Sequence, residues 1–258
     1  MPSFCNGGSG NRDILFGMTV DTVKLIAIRF WRTSFLVAVV LWYSPYVDVP
    51  IRLLTWLAIA VALVGAVIVY WRKPVIRWSL LGLYAAAILF LACPLHRPVD
   101  RPALQSRYCA ALKSYTGCRY VWGGQGYFGI DCSGLVQKGM MDALATSGLT
   151  TFDPSLLRDS LSLYWHRTTA KVIGEGFAGR TVPVTTCTSL NALDYSLLQP
   201  GDLAVTAGGD HVLAYLGDRK WIAADPVVGH VTTFPIPEQK NAYFFTPMRI
   251  VRWKTLAE

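Results

Sequence analysis

Along the first third of the chain polar positions almost vanish, and along the rest they return with helical and then alternating spacing. Between Thr33 and Pro94 nearly every residue is apolar, whereas from Leu95 onward the pattern is that of an ordinary globular protein. Crossing the hydrocarbon core of a bilayer as a helix takes about 20 apolar residues. LLTWLAIAVALVGAVIVYW (Leu53 to Trp71) and WSLLGLYAAAILFLACPL (Trp78 to Leu95) reach that length without a charged residue. Trp56, Tyr70, Trp71 and Trp78 near their ends suit an interfacial aromatic belt. A third stretch, TSFLVAVVLWYSPYVDV, is interrupted by Pro45 and carries Asp48, which has to reach the interface. Extended back through Ile26 to Trp31, it predicts a first crossing; the competing reading is an amphipathic helix lying on the membrane surface. The expected spans are 27–46, 53–71 and 78–95, within a membrane region of residues 1–95.

Residues 96–258 form the second expected domain. Asp100 to Tyr115 reads as a helix, with Leu104, Tyr108, Ala111 and Leu112 on one side. CRYVWGGQGYFGID then runs from a strand-like piece into a glycine-rich loop. CSGLVQKGMMDALATSG follows as a helix whose stripe is Leu135, Val136, Met140, Ala143 and Leu144, with Gly148 as its expected stop. Residues 149–198 give only one helix, Pro154 to Thr168, and otherwise loops or short strands. From Pro200 the pattern turns to strands: DLAVTA, HVLAYLG, KWIAAD, HVTTF and AYFFTPMRIVRW, parted by turn-forming clusters. Antiparallel strands behind a helix predict an α+β domain with the helix laid on the sheet.

Composition sharpens the membrane reading. The chain is 53% hydrophobic and 16% charged over 258 residues, an excess confined to its first part. Arg12, Lys24, Arg29 and Arg32 precede the first apolar segment, and Arg72, Lys73 and Arg77 separate the second from the third. The first loop carries only Arg52. With three crossings, the positive-inside bias puts the N-terminus in the cytoplasm and the domain after Leu95 outside. The opening MPSFCNGGSGNRDILFGM lacks the tripartite pattern of a cleavable signal peptide. The net charge of +8 forms no basic stripe with interleaved aromatics, so no nucleic-acid partner is expected.

Candidate chemistry centres on GIDCSGLVQ, where Cys132 opens a helix directly after the glycine-rich loop. A helix N-terminus favours a thiolate and offers backbone N–H groups to an oxyanion. The bland alternative is a small buried residue, since free cysteine is often buried. Ser133 and Gly134, with Gly123, Gly124 and Gly126 upstream, allow a substrate backbone to come close. A thiol nucleophile needs a base, and the histidines are His96, His166, His211 and His230. His211 opens a strand after the turn AGGD, at a sheet end where a packed helix would present Cys132. Asp225 is the candidate to orient the imidazole. A three-residue connection (Gly217, Asp218, Arg219) sets it opposite His211, whereas a two-residue turn would send it to the other face. Because Asp225 precedes Pro226, a loop-shaping role competes, and His230 is the rival third group.

YVWGGQGYFGIDCSGLVQ (Tyr120 to Gln137) followed by LQPGDLAVTAGGDHVLAYLG (Leu198 to Gly217) resembles the NlpC-type family of bacterial cell-wall cysteine peptidases, over roughly residues 103–251. The resemblance implies a papain-like α+β fold with Cys132 as nucleophile and His211 as base. It implies that Tyr120 stands beside the active site and that Asp131 and Ser133 touch substrate. It implies hydrolysis of amide bonds in peptidoglycan stem peptides, with no metal and no cofactor. Where many members carry a histidine 12 positions after the base this chain has Ala223, so Asp225 is expected to substitute. Cys109, Cys118 and Cys187 would share the outer side, where a disulfide could form without the sequence pairing them.

The expectation is a multi-pass protein of the cytoplasmic membrane, its catalytic domain on the periplasmic or extracellular side, meeting lipid and stem peptides. Two alternatives compete: a thiol amidase or acyltransferase on lipid or protein substrates, and a membrane protein whose papain-like domain only binds cell-wall fragments.

Overall fold

The structure, a computed structural model, describes residues 20–46 and 48–257, with side chains from Leu25 onward. The opening stretch read as lacking a cleavable leader, Arg12 included, lies outside the described residues.

The chain divides into two compact units, residues 1–42 with 52–84, and residues 43–51 with 85–258. The first unit holds α1 (Val20–Trp42) and most of α2 (Val49–Val69) and α3 (Pro74–Ala92); residues 49–51 of α2 and 85–92 of α3 fall in the second. All three are long and apolar enough to cross a membrane, over Leu25–Trp42, Val49–Val69 and Pro74–Ala92. Each lies a few residues N-terminal of its expected span, for a local reason. Pro50 and Pro74 fit the first helical turn, where a missing N–H costs nothing, so α2 and α3 start earlier than the charge-free runs. α1 ends at Trp42 because the Ser44–Pro45 step cannot continue a helix. Gly65 lets α1 close on α2: a Cβ there would sit 3.0 Å from the Trp31 ring. Trp31 also meets Tyr70 edge-on at 6.2 Å.

In the second unit α4 (Arg101–Ser114) is capped by Asp100, whose side chain accepts from the Ala103 N–H. A two-stranded ladder, β1 (Gln125–Gly126) with β2 (Gly129–Ile130), shapes the glycine loop. It leads into α5 (Cys132–Thr151), then α6 (Pro154–Trp165) and α7 (Ala170–Gly174). The remaining strands are β3 (Thr181–Cys187), β4 (Leu203–Thr206), β5 (Val212–Gly217), β6 (Lys220–Asp225), β7 (His230–Pro235) and β8 (Met248–Trp253), with α8 (Lys254–Ala257) behind them. They form one antiparallel sheet in the order β3-β8-β4-β5-β6-β7.

The sheet is covered on both faces, which is why β4 is buried throughout instead of alternating. On one face Leu203, Val205, Val212, Ala214 and Ile222 pack with Leu135, Val136 and Met140 of α5. On the other, Leu213, Trp221, Ala223 and Ile250 pack with Leu190, Leu193 and Phe244 from 3-10 turns. The α+β architecture expected from the sequence is present.

Two local expectations are corrected. Gly148 does not stop α5, which runs to Thr151 and turns at Phe152 with φ 51°. Gly148 instead marks close packing: a Cβ there would lie 2.8 Å from Leu157 Cγ and 2.9 Å from the Asp153 carbonyl oxygen. Ala242–Phe245, read as the start of the last strand, is a 3-10 turn capped by Asn241. In residues 149–198 the expected helix ends at Trp165 as α6, the short α7 follows it, and β3 joins the sheet edge beside β8 as one of the short strands expected there.

Candidate active site

Asp131 starts α5 from an extended conformation (φ −98°, ψ 178°) and caps it by accepting from the Gly134 N–H. Its carboxylate also accepts from Ser133 Oγ at 2.9 Å and from the Gly123 N–H at 2.8 Å. The glycine loop is thereby stitched to the helix start, and the Asp131 N–H returns a bond to the Gly124 carbonyl at 3.0 Å. Gly124 is required for this closure, because a Cβ there would come within 2.6 Å of the Gly129 carbonyl oxygen. Asp131, Ser133 and Gly124 thus all build the turn that delivers Cys132.

Cys132 is 7% exposed and belongs to the core beneath the sheet. Burial pushes its thiol up to about 12, and the neighbouring Asp131 charge adds to this. Backbone N–H groups of Val212, Ser133 and Cys132 pull the other way without prevailing. The expected depression at a helix N-terminus is therefore outweighed by desolvation, and the thiol rests neutral. The Val212 contact has a second consequence: the sulfur lies against the first residue of β5, immediately after His211.

His211 is held by the turn before it. Thr206 Oγ1 accepts from the Asp210 and His211 N–H groups at 2.9 and 3.1 Å, and the Thr206 N–H donates to the His211 carbonyl at 3.1 Å. The imidazole is 1% exposed, and among the described residues its Nε2 has no hydrogen-bond partner. Burial lowers its pKa to about 4, with the Asp225 charge opposing.

Asp225 reaches the level of His211 by an unexpected route. The β5–β6 turn has two residues, Asp218 and Arg219, at φ 49° and 54°. A bulge between Tyr215 and Gly217 inserts the missing residue, so Ala214 pairs with Ile222 and the register carries His211 opposite Asp225. Asp225 is fully buried. Its Oδ1 accepts from the Val227 and Val228 N–H groups at 2.7 and 2.9 Å, and its Oδ2 from Asn241 Nδ2 at 2.6 Å. Both oxygens are thus engaged with the loop after β6 and with Asn241, and the carboxylate acts on the imidazole through its charge.

Tyr120 is half-buried; burial raises its phenol, and Cys132, Asp131, Tyr243 and Asp225 add in that order. The other histidines are elsewhere. His96 bonds Ser155 Oγ, His166 caps α6 with Nδ1 on the Ser162 carbonyl, and His230 is exposed on β7 with its backbone paired to Asp225. None of the five described cysteines is in a disulfide, Cys109, Cys118 and Cys187 included. Among the described residues no group of His, Cys, Asp and Glu is arranged to hold a metal.

Two residues escaped the sequence reading. Tyr243 stacks on His211 with ring centroids 4.1 Å apart and planes 18° apart. Asn241 holds Asp225. Tyr243 lies in the segment that reads as the last strand and Asn241 in the turn-forming cluster before it; an Asn ahead of a short aromatic run is the available signal.

Residues 117–250, just over half of the chain, match the NlpC/P60 family. The chain belongs to the NlpC/P60 family. No curated protein matches it. Similar solved structures include NlpC1 from Trichomonas vaginalis, with a TM-score of 0.39 and 21% identity over 61% of this chain and 46% of that one. NlpC2 from the same organism gives 0.38 and 20%, over 60% and 48%. The peptidoglycan hydrolase RipB from Mycobacterium tuberculosis gives 0.37 and 22%, over 62% and 74%. The match spans less than half of either Trichomonas protein. Tyr120, the Cys132 helix and the His211 strand of this NlpC/P60 chain all fall inside the matched region.

Proposed function

We propose that this protein is a membrane-anchored cysteine hydrolase of amide bonds in peptidoglycan stem peptides. The observation that carries the reading is a buried thiol at the first turn of α5, contacted by the backbone N–H next to His211, in an NlpC/P60 domain. Cys132 is the nucleophile, His211 the base and Asp225 the charge that favours the protonated imidazole. Tyr120, Gly124, Asp131 and Ser133 border the substrate. Residues 1–95 are the anchor and 96–258 the hydrolase, on the outer side of the cytoplasmic membrane. Arg72 and Lys73 between α2 and α3, with Arg77 in the first turn of α3, support that orientation, and Arg77 lies over Trp71 and Trp78, at 4.7 and 5.1 Å from the ring centres.

The resting pair is neutral, so the reaction starts with proton transfer. Cys132 gives its proton to His211 as sulfur bonds to the scissile carbonyl carbon. The carbonyl oxygen takes the negative charge, facing the backbone N–H groups at the start of α5. Imidazolium returns the proton to the departing amine, leaving a thioester. Water, deprotonated by His211, then releases the acid and restores the thiol. The reaction needs no metal and no cofactor.

The full chain in detergent should split purified stem peptides, with release of a new amine. Cys132→Ala and His211→Ala should each lower turnover by about 10³-fold or more. Undiminished cleavage by Cys132→Ala would remove the thiol from the reaction.

A further inference from the structure

The segment between α1 and α2 lies outside the family match, yet residues 43–51 belong to the catalytic unit. Several contacts hold it there. Tyr46 forms an antiparallel bridge with Gly124, and the Pro45 carbonyl accepts from the Gln125 N–H at 3.1 Å. Asp48 pairs with Arg167, whose guanidinium also donates to the Gly123 carbonyl at 3.3 Å. Tyr43 meets Phe128 edge-on at 6.2 Å.

These contacts converge on residues 123–128, the loop that fixes Asp131 through the Gly123 N–H and the Gly124 carbonyl. The β1–β2 ladder and Asp131 set the inner side of that loop; its glycines leave the outer side few side chains, and there the contacts from residues 43–48 add to its hold. An exposed ion pair contributes little to stability; what Asp48 and Arg167 supply is direction. The path runs from Asp48 through Arg167 to Gly123, then to Asp131 and the adjacent nucleophile.

We propose that the α1–α2 segment is a strap completing the wall of the active site, with Asp48 and Arg167 as positioning residues for Cys132. The strap follows Trp42, the last residue of α1, and leads into Val49, the first of α2. The anchor region thus supplies part of the hydrolase, and residues 96–258 alone lack it. The hydrolytic consequence rests on the function proposed above; the mechanical one does not.

The test uses the full chain in detergent micelles with Asp48→Arg, which sets two cations together, and Asp48→Glu, which keeps the pair. Hydrogen exchange is followed over residues 121–131, and alkylation of Cys132 by iodoacetamide is followed by peptide mass spectrometry. Asp48→Arg should speed exchange at Gln125 by about fivefold or more. It should also raise the alkylation rate and lower kcat on stem peptides with KM nearly unchanged, while Asp48→Glu behaves as the parent. A parent-like exchange and alkylation profile in Asp48→Arg overturns the strap. Faster exchange with unaltered Cys132 alkylation overturns its positioning role. Should Asp48→Arg not fold, Asp48→Ala is read by the same two measurements. A parent chain that cleaves no stem peptide counts against the hydrolase reading alone.

Discussion

The positions of Cys132 and His211, the proposed nucleophile and base, were legible because each sits where a pattern breaks: a thiol at a helix start, an imidazole just before a strand. What the sequence hid is the balance of forces on them. The helix N-terminus favours a thiolate, but burial and Asp131 outweigh it. Burial likewise keeps the imidazole neutral, lowering it from its ordinary value near 6.5 to about 4. Tyr243, stacked on that ring, supplies part of the burial, and no periodicity announces a residue in a 3-10 turn. In the proposed mechanism His211 must be neutral to accept the thiol proton, so the acid limb of kcat/KM should lie near pH 4. Tyr243→Ala admits water to the ring, raises the imidazole pKa and should move that limb toward neutrality by about one unit. A pH–rate profile checks this, and an unmoved limb would remove Tyr243 from the environment of the base.

Elements were read well where an apolar stripe or a short apolar run is bounded by turn residues, and poorly where packing overrides propensity. The helix periodicity of α4 and α5 was visible, and so were β4 to β7. The bulge that aligns Asp225 with His211 was not, because turn length alone cannot reveal an inserted residue. β3 was obscured by its TVPVTTC composition at the sheet edge, where a proline is tolerated. Gly148 looked like a helix stop because glycine usually is one, yet its place is the contact of α5 with α6. Gly148→Ala should accordingly destabilise despite better helix propensity. The gain of about 1 kcal/mol is exceeded by an overpacking cost of about 1–3 kcal/mol. Thermal unfolding should show a lower Tm, and a higher one would mean that α6 can yield.

For the whole molecule, hydropathy divided the chain at residues 95 and 96, whereas contacts assign residues 43–51 and 85–95 to the unit that holds the NlpC/P60 domain. Hydropathy cannot reveal such an assignment, since it ranks residues by solvent preference and not by partner. If α2 and α3 both cross the bilayer, the strap and the domain after α3 share one side whether or not α1 also crosses, which agrees with their contacts. The account stands on a sulfur that becomes covalently acylated during turnover. Acid-quenched full-length protein, digested after mixing with excess stem peptide, should carry one acyl group on the Cys132 peptide, and His211→Ala should carry none. An acyl group on any other residue, or rapid turnover with Cys132 never modified, would contradict it.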